Sequence, residues 1–395
     1  MESFTFSSKE KKYSFILIGI GLLLMLFGVF TNLENPTRIA TAFMYNNVFF
    51  LMIALTSMFF ISAHTVGWGG WYILLRRVSE AMANYIYVGA IFTVIILALG
   101  MQSIYHWAQP GAAAHDPLDL LAGKSPYLNT TFFWIRTAAY LGLWCGFTWL
   151  LRKNSLANDL NPSIALYEKS KVYAAGFLFV FAISSSTASW DYTMSVQPHW
   201  YSTLWGWYNF ISAFVTSCAI LSLLIMYLKE QGYLKEVTDE HLHDIGKFMF
   251  AFSIAWAYLF FSQFMLIWYA NIPEETGYFK LRAEYYPLTM YIAFALNFIA
   301  PFFILITRKA KRTYTVMRVL ACAIIIGHWM DFYQMMMPAA LKENNMAPAS
   351  IGALEIGIGL FFAGIFLYVV FTTLSKAALK AEGHPFYRES VLHHT

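Results

Sequence analysis

Two aspartates, Asp191 and Asp331, lie inside long apolar segments of this 395-residue chain, and each precedes a proline by seven residues. They belong to the strings WDYTMSVQP and MDFYQMMMP. A carboxylate at bilayer depth costs roughly 2.5 kcal/mol or more, so it usually faces a cavity, an ionic partner or a proton path. Of the 22 acidic residues, only these two and Glu355 fall inside apolar segments. The repeated placement indicates an internal duplication.

The composition indicates which elements must position these carboxylates. Hydrophobic residues make up 59% of the chain, charged residues 12%, and the mean hydropathy is +0.53. Because one crossing of the bilayer core needs about 20 helical residues, the apolar runs predict an all-α polytopic membrane protein with about ten transmembrane helices. The runs lack the two-residue alternation of a β-barrel. The predicted helices lie near residues 13–31, 43–75, 83–104, 131–151, 172–195, 201–228, 247–270, 286–307, 314–337 and 350–375.

One predicted helix, 43–75, is longer than a single crossing requires. The excess predicts a tilt, a protrusion or a break at the GWGG string of residues 67–70.

Basic residues predict the orientation of the helices. If the N-terminus is cytoplasmic, twenty of the 26 Lys and Arg residues fall on the cytoplasmic side, as the positive-inside rule requires. The rule therefore places both termini in the cytoplasm and Asp191, Asp331 and Glu355 toward the outer surface. The net charge of +4 is spread over short loops, which argues against nucleic-acid binding and favours contact with the lipid bilayer.

The internal duplication can be tested at a second place in the chain. QSIYHW, from Gln102, and QFMLIW, from Gln263, share the spacing of Gln and Trp near the outer ends of the third and seventh predicted helices. Matching helices 2–5 with helices 6–9 predicts two four-helix bundles, flanked by helices 1 and 10. The corresponding segments are 1–42 (N-terminus and helix 1), 43–200 (first bundle), 201–338 (second bundle) and 339–395 (helix 10 and cytoplasmic tail).

Protonatable and hydroxyl side chains gather toward the outer half of these helices. His328 precedes Asp331 by three residues and therefore shares its helix face, and a hydroxyl run precedes Asp191. His64 lies closer to the cytoplasm and would extend a proton path if the second helix packs beside the fifth. The hydroxyls could equally serve close helix packing. The proton-path candidates are Asp191, Asp331, His328, His64, Ser185, Ser186, Thr187 and Glu355.

A quinone pocket requires an apolar slot with groups that form hydrogen bonds at the ring oxygens. The candidates for those groups are Gln102, Tyr192, His199 and Gln263. Arg136 is positioned to pair with Asp191 across a bundle, and two roles stay open for Asp191: a member of a proton relay or one half of a purely architectural ion pair. No metal site is expected, because the three cysteines lie in different helices, and no two histidines lie at matched depth for an intrinsic haem.

The strings SSSTASWDYTMSVQPHWYSTLWGWYNF (184–210) and AWAYLFFSQFMLIWYANIPEET (255–276) resemble the NrfD-like, or polysulfide reductase-type, membrane subunits. Within that family they look most like the second of the two related subunits of bacterial alternative complex III. The resemblance covers essentially the whole chain. It implies a bacterial inner-membrane subunit of a quinol:electron-acceptor oxidoreductase. Its implied partners are a related NrfD-like subunit and periplasmic iron–sulfur and c-type haem subunits, which carry the iron–sulfur clusters and haem c.

The resemblance also limits the role of this chain. The quinol site is expected in the other membrane subunit, beneath the iron–sulfur protein. This chain is then expected to support assembly and to move protons, with quinone or menaquinone binding secondary, and the sequence leaves open whether it acts as an enzyme. Two alternatives stay open: a secondary transporter with duplicated bundles and a purely structural scaffold.

Overall fold

The computed structural model describes residues 3–115 and 120–394, and this part of the chain is helical without a β-strand. Residues 1, 2, 116–119 and 395, which belong to the predicted segments 1–42, 43–200 and 339–395, lie outside the described part. The prediction of an all-α membrane protein is confirmed. The long helices are α1 Ser8–Phe30, α2 Pro36–Val66, α3 Tyr85–Ile104, α4 Thr130–Leu160, α5 Ile164–Tyr192, α6 Trp205–Glu230, α7 Asp239–Ala270, α8 Pro287–Leu305, α9 Tyr314–Glu343 and α10 Ala353–Leu374.

Nine helices in the described residues are long and apolar enough to cross a membrane. The helix that falls short is α4, which has 31 residues but a less apolar sequence. Its apolar run is interrupted by Arg136 and continues into the polar string RKNSLANDL, from Arg152 to Leu160.

Several helices extend beyond the apolar runs that predicted them, because their N-caps lie in polar flanking sequence. The side chain of Asn35 accepts a hydrogen bond from the backbone of Arg38 and starts α2 seven residues before the predicted position. Ser163 caps α5 in the same way. Polar caps supply acceptors for the first free N–H groups of a helix, and hydropathy does not detect them.

The long predicted segment 43–75 is broken at the GWGG string. α2 ends at Val66, and Trp68 adopts a left-handed conformation with φ of 57°. A 3-10 turn, Trp71–Leu74, and a short helix, Arg76–Ala83, then lead into α3.

The helix contacts fall into two groups of four. In the first, α2 packs against α3 and α5, and α4 packs against α3 and α5; in the second, α6 packs against α7 and α9, and α8 packs against α7 and α9. The groups meet where α2 contacts α6 and α9 and where α5 contacts α6. The face that carries both chain ends is called the terminal face below, and the opposite one the distal face.

Glycines allow α1 and α10, the flanking helices, to approach closely. A Cβ added to Gly21 would lie 2.4 Å from the backbone nitrogen of Phe361, and one added to Gly28 would lie 2.4 Å from the Cα of Leu354. Gly357 is equally close to the backbone of Met25. Small residues at such crossings give membrane helices their van der Waals contact. Because α10 in turn packs on α2, this crossing attaches α1 to the rest of the molecule.

Replacing Gly28 by valine should detach α1 from α10. The new side chain overlaps backbone, which cannot move aside as a flexible side chain would, so we expect a loss of about 1–3 kcal/mol in the free energy of unfolding. Gly19→Val is the matched control, because a Cβ at Gly19 meets nothing within 4 Å. Unfolding in mixed micelles measures both variants, and equal stabilities would contradict the proposed packing role of Gly28.

Candidate functional site

Asp331 lies in the core of the second helix group and is bonded by three neutral donors from two other helices. Its carboxylate is 4% exposed. The Tyr208 hydroxyl of α6 donates to Oδ1 at 2.5 Å, and the Trp256 indole of α7 donates to Oδ2 at 2.9 Å. The Ser212 hydroxyl, one turn after Tyr208, donates to Oδ2 at 3.1 Å. Among the described residues, no arginine or lysine forms an ion pair with this carboxylate.

His328 joins this carboxylate through Ser212. The Nδ1 atom of His328 lies 2.8 Å from the Ser212 Oγ and 3.9 Å from the Asp331 Oδ2. Since the single hydroxyl proton of Ser212 is directed to Asp331, the Nδ1 atom is assigned as the donor to Ser212. When both ring nitrogens of His328 carry a proton, the Nδ1 proton can pass to the Ser212 oxygen while the Ser212 hydroxyl proton passes to Asp331.

A layer of polar atoms without hydrogen-bond partners lies one helical turn toward the terminal face. Within the described residues, the Nε2 of His328, the Oγ of Ser253 and both amide atoms of Asn297 are buried and unbonded. Asn297 lies against Gly327, where an added Cβ would be 2.1 Å from its Oδ1. Each unsatisfied buried group costs about 1–3 kcal/mol. Such groups are kept where packing is not the only requirement on a site.

A π-helical turn, Ala295–Ile299, places Asn297 in this layer. Pro301 has no N–H for the carbonyl of Asn297, so regular α-helical bonding is interrupted there. A single π-turn inside an α-helix frequently marks a functional site.

The proline seven residues after Asp331 has an identifiable structural role. Pro338 lies inside α9 and has no N–H for the carbonyl of Gln334, four residues earlier. The Nε of Arg282 donates to that carbonyl at 2.9 Å. The guanidinium, which is 3% exposed, also stacks on the Tyr278 ring at 3.4 Å. Arg282 thus closes the distal side of the Asp331 site by bonding backbone.

Asp191 has a different environment. It is fully buried, and Arg136 of α4 bonds both of its oxygens, with the Nε at 2.8 Å and an Nη at 2.9 Å. The Tyr140 hydroxyl donates to the same carboxylate at 3.0 Å. The guanidinium also stacks on the Tyr127 ring. This bidentate pair joins α4 to α5 and gives the buried carboxylate a counter-charge.

The two aspartates therefore share a spacing to proline without sharing a local structure. Asp191 is the second-last residue of α5, and Pro198 lies in the following loop. Asp331 lies in the middle of α9, with Pro338 in the same helix. The shared Gln–Trp spacing likewise falls on different local structures. Gln102 is exposed and Trp107 buried, whereas Gln263 is buried and Trp268 exposed.

The other proton-path candidates do not join Asp331 in a chain. Glu355 forms a bidentate pair with Arg38, at 2.7 and 3.0 Å, which links the distal ends of α2 and α10. His64 bonds the Phe60 carbonyl of its own helix near the terminal face, whereas Asp191 lies at the distal end of α5.

The hydroxyl run before Asp191 bonds mainly to its own helix. Ser186 and Thr187 donate to the backbone carbonyls of Ala182 and Ile183. Ser185 is buried, and its carbonyl accepts from the Ser189 hydroxyl. No hydrogen-bonded relay from Ser185 to the Asp191 carboxylate is present in the described residues.

The four quinone-pocket candidates are dispersed. Gln102 is exposed on α3, and Gln263 is buried on α7. Tyr192 is buried beside Phe133, and the Nδ1 of His199 lies 3.6 Å from Glu343. A cavity of about 360 Å³ does open beside Asp191, but none of the four lines it; its walls include Tyr127, Trp190, Gln197 and Trp200.

Sequence reasoning missed the three donors to Asp331, which are Tyr208, Ser212 and Trp256, and it missed the unbonded Asn297. Tyr208 and Ser212 are four residues apart, on one face of α6, which is a signal that the sequence contains. Nothing in the sequence singles out Trp256 among the 13 tryptophans.

Fold and site together define a multi-pass helical membrane protein with a buried, hydrogen-bonded carboxylate network in one of two helix groups. Comparison with protein-family models finds no match for this chain, and comparison with curated proteins finds no similar sequence. Within residues 3–115 and 120–394, no three His, Cys, Asp or Glu side chains cluster as metal ligands.

Neutralising the two aspartates should have unequal effects on stability. Asp191→Asn leaves Arg136 buried without a counter-charge, so we expect a loss of about 3–5 kcal/mol in the free energy of unfolding. Asp331→Asn breaks no ion pair and should cost about 1–2 kcal/mol. The double variant Arg136→Met/Asp191→Leu should recover most of the first loss. Unfolding in mixed micelles compares the three, and equal losses for the two single variants would refute the distinction.

Replacing Asn297 by leucine should stabilise the protein by about 1 kcal/mol or more, because it removes two unbonded polar atoms at similar volume. Asn46→Leu is the matched control, since Asn46 bonds both the Ala42 carbonyl and the Trp329 indole and should lose stability on replacement. Thermal unfolding of the two variants measures the difference. Destabilisation by both would mean that Asn297 is bonded in the protein in solution.

Proposed function

We propose that this chain is an NrfD-like membrane subunit of a quinol:electron-acceptor oxidoreductase of the alternative complex III type, in which Asp331 and His328 exchange protons. The observation that carries the proposal is the Asp331 network: a buried carboxylate held by neutral donors and joined through Ser212 to an imidazole. The resemblance of residues 184–210 and 255–276 to that family supports the assignment to the complex.

The chemistry of quinol oxidation fits such a network. Oxidation of a quinol to a quinone releases two electrons and two protons. In the proposed complex the electrons pass to the iron–sulfur and c-type haem groups of the partner subunits. Asp191 is paired with an arginine, whereas Asp331 accepts hydrogen bonds from neutral donors only. His328 supplies a second titratable group on the same helix face.

We infer further that helices α2–α5 and α6–α9 are repeated four-helix bundles flanked by α1 and α10. The grouping of helix contacts supports this inference. The copies have then diverged, with an architectural ion pair in the first and the titratable network in the second.

The proposed setting is the bacterial inner membrane with both termini in the cytoplasm, which the distribution of basic residues supports. The terminal face is then cytoplasmic, and the Asp331 site lies toward the periplasmic partners. Assembly with a related NrfD-like subunit and with the periplasmic subunits is part of the proposal, and quinone binding by this chain is secondary.

Asp331→Asn should uncouple proton movement in the assembled complex. We expect at least a tenfold decrease in proton release driven by quinol oxidation, because an amide cannot exchange a proton at neutral pH. Arg136→Met/Asp191→Leu is the control, since it removes the corresponding carboxylate of the other helix group together with its partner. Quinol oxidation and proton release are measured together in proteoliposomes.

Two outcomes would contradict the proposal. Unchanged quinol oxidation and proton release in Asp331→Asn would favour a scaffold role. Purification of the native chain without c-type haem and iron–sulfur proteins, combined with solute uptake by the chain alone, would favour a secondary transporter.

A further inference from the structure

The segment 375–394 that follows α10, called the tail below, folds back across the terminal face. It contacts both helix groups and also pairs with the N-terminal segment through a single β-bridge between Ser3 and Ala378. The short helix Tyr387–Val391 lies near its end.

Ser390 and Gly383 fix the tail to the first helix group. The Ser390 hydroxyl donates to the Trp71 carbonyl at 2.6 Å and accepts from the Leu74 N–H at 3.1 Å. The side-chain amide of Asn158, on α4, donates to the Gly383 carbonyl at 3.1 Å. The two Ser390 bonds use backbone groups of the turn that follows the GWGG break.

Three further contacts fix the tail to the second helix group. The Thr238 N–H donates to Nδ1 of His241, so the other ring nitrogen is the one that donates to the Ser390 carbonyl, at 3.0 Å. The Nε2 of His393 lies 2.9 Å from an Asp244 oxygen. Lys380 forms an ion pair with Glu236, in the loop between α6 and α7, at 2.6 Å. Ser390 is therefore bonded by both helix groups at once.

The docked tail covers the terminal end of α2. The His393 ring packs on Trp71, and Trp71 packs on His64 and on Phe248 of α7. Removing the tail would expose Trp71, with His64 directly behind it.

His384 is the tail residue whose protonation opposes docking. Its Nδ1 accepts the Phe386 N–H at 3.2 Å, a bond that an imidazolium cannot accept, and its Nε2 has no partner among the described residues. Burial lowers the pKa of His384 to about 3; the charges of Arg76 and Arg77 act in the same direction and Glu80 opposes them. Asp159 and Tyr167 line the same small cavity.

We propose that the tail is a strap that ties the two helix groups together at the terminal face and is released when His384 takes up a proton. Release opens the terminal end of α2, at Trp71 and His64, to water. The inference rests on the tail contacts and does not depend on the proposed redox role.

The sign of the pH dependence follows from the two states of His384. In the docked tail its pKa is lowered, whereas in a released tail it has the ordinary value of about 6.5. Docking is therefore at full strength above about pH 6.5 and weakens as the pH falls below it. At pH 5.0 the docking equilibrium should be about 30-fold weaker than at pH 7.5.

Hydrogen exchange of the full-length protein in nanodiscs tests the strap. After correction for intrinsic rates, the amides of residues 376–394 should exchange about 30-fold faster at pH 5.0 than at pH 7.5, while α2 and α7 keep their protection. His384→Gln should abolish this dependence, because glutamine can accept the Phe386 N–H but does not titrate. His393→Gln, the matched control, should keep it, since glutamine can still donate to Asp244.

A variant independent of titration checks the docking itself. A Cβ added to Gly383 would lie 2.3 Å from the Asn158 carbonyl oxygen, so Gly383→Ala should release the tail at every pH. Exchange of the wild-type tail that is unchanged between pH 7.5 and 5.0 would overturn the proposal. So would an acid response that persists in His384→Gln, or a protected tail in Gly383→Ala.

Discussion

Each charge among the helices of this protein must find hydrogen-bond partners within the chain, because lipid supplies neither hydrogen bonds nor counter-ions. Two bidentate pairs meet this constraint between helices. Arg136 holds Asp191 and joins α4 to α5, and Arg38 holds Glu355 and joins α2 to α10. Near the terminal face, Glu80 pairs with Arg76 and Arg77 of its own short helix and accepts from the Ser155 hydroxyl of α4. Which helices pack side by side in this fold thus depends in part on the pairing of their charges.

Asp331 meets the same constraint by a different route. Three neutral donors replace the cation, so the carboxylate is bonded without a counter-charge. The nearest arginine toward the distal side, Arg282, bonds the carbonyl that Pro338 leaves free. Pro338 thereby leaves a carbonyl that fixes the position of the Arg282 guanidinium. That guanidinium bonds backbone and forms no ion pair with Asp331.

The sequence was sufficient for the fold class and for the approximate positions of the helices, because hydropathy reports length and burial directly. It was insufficient for helix ends, which depend on caps such as Asn35 and Ser163. The sequence predicted Arg136 as a partner of Asp191 and His328 as a neighbour of Asp331, but it did not show the neutral donors that bond Asp331. The distinction depends on residues far away in the chain: Arg136 is 55 positions from Asp191, and Tyr208 is 123 positions from Asp331.

The unbonded atoms around His328 bear on why the two carboxylates differ. A site under selection for packing alone would replace Asn297 and Ser253 by apolar residues, since each unbonded group costs about 1–3 kcal/mol. In the first helix group, Arg136 supplies Asp191 with a counter-charge, although the hydroxyls of Tyr127, Thr137 and Tyr192 are also unbonded there. The two sites therefore differ in charge: Asp331 is bonded by neutral donors and Asp191 by a guanidinium. That difference in charge is the observation on which the proposed proton exchange rests.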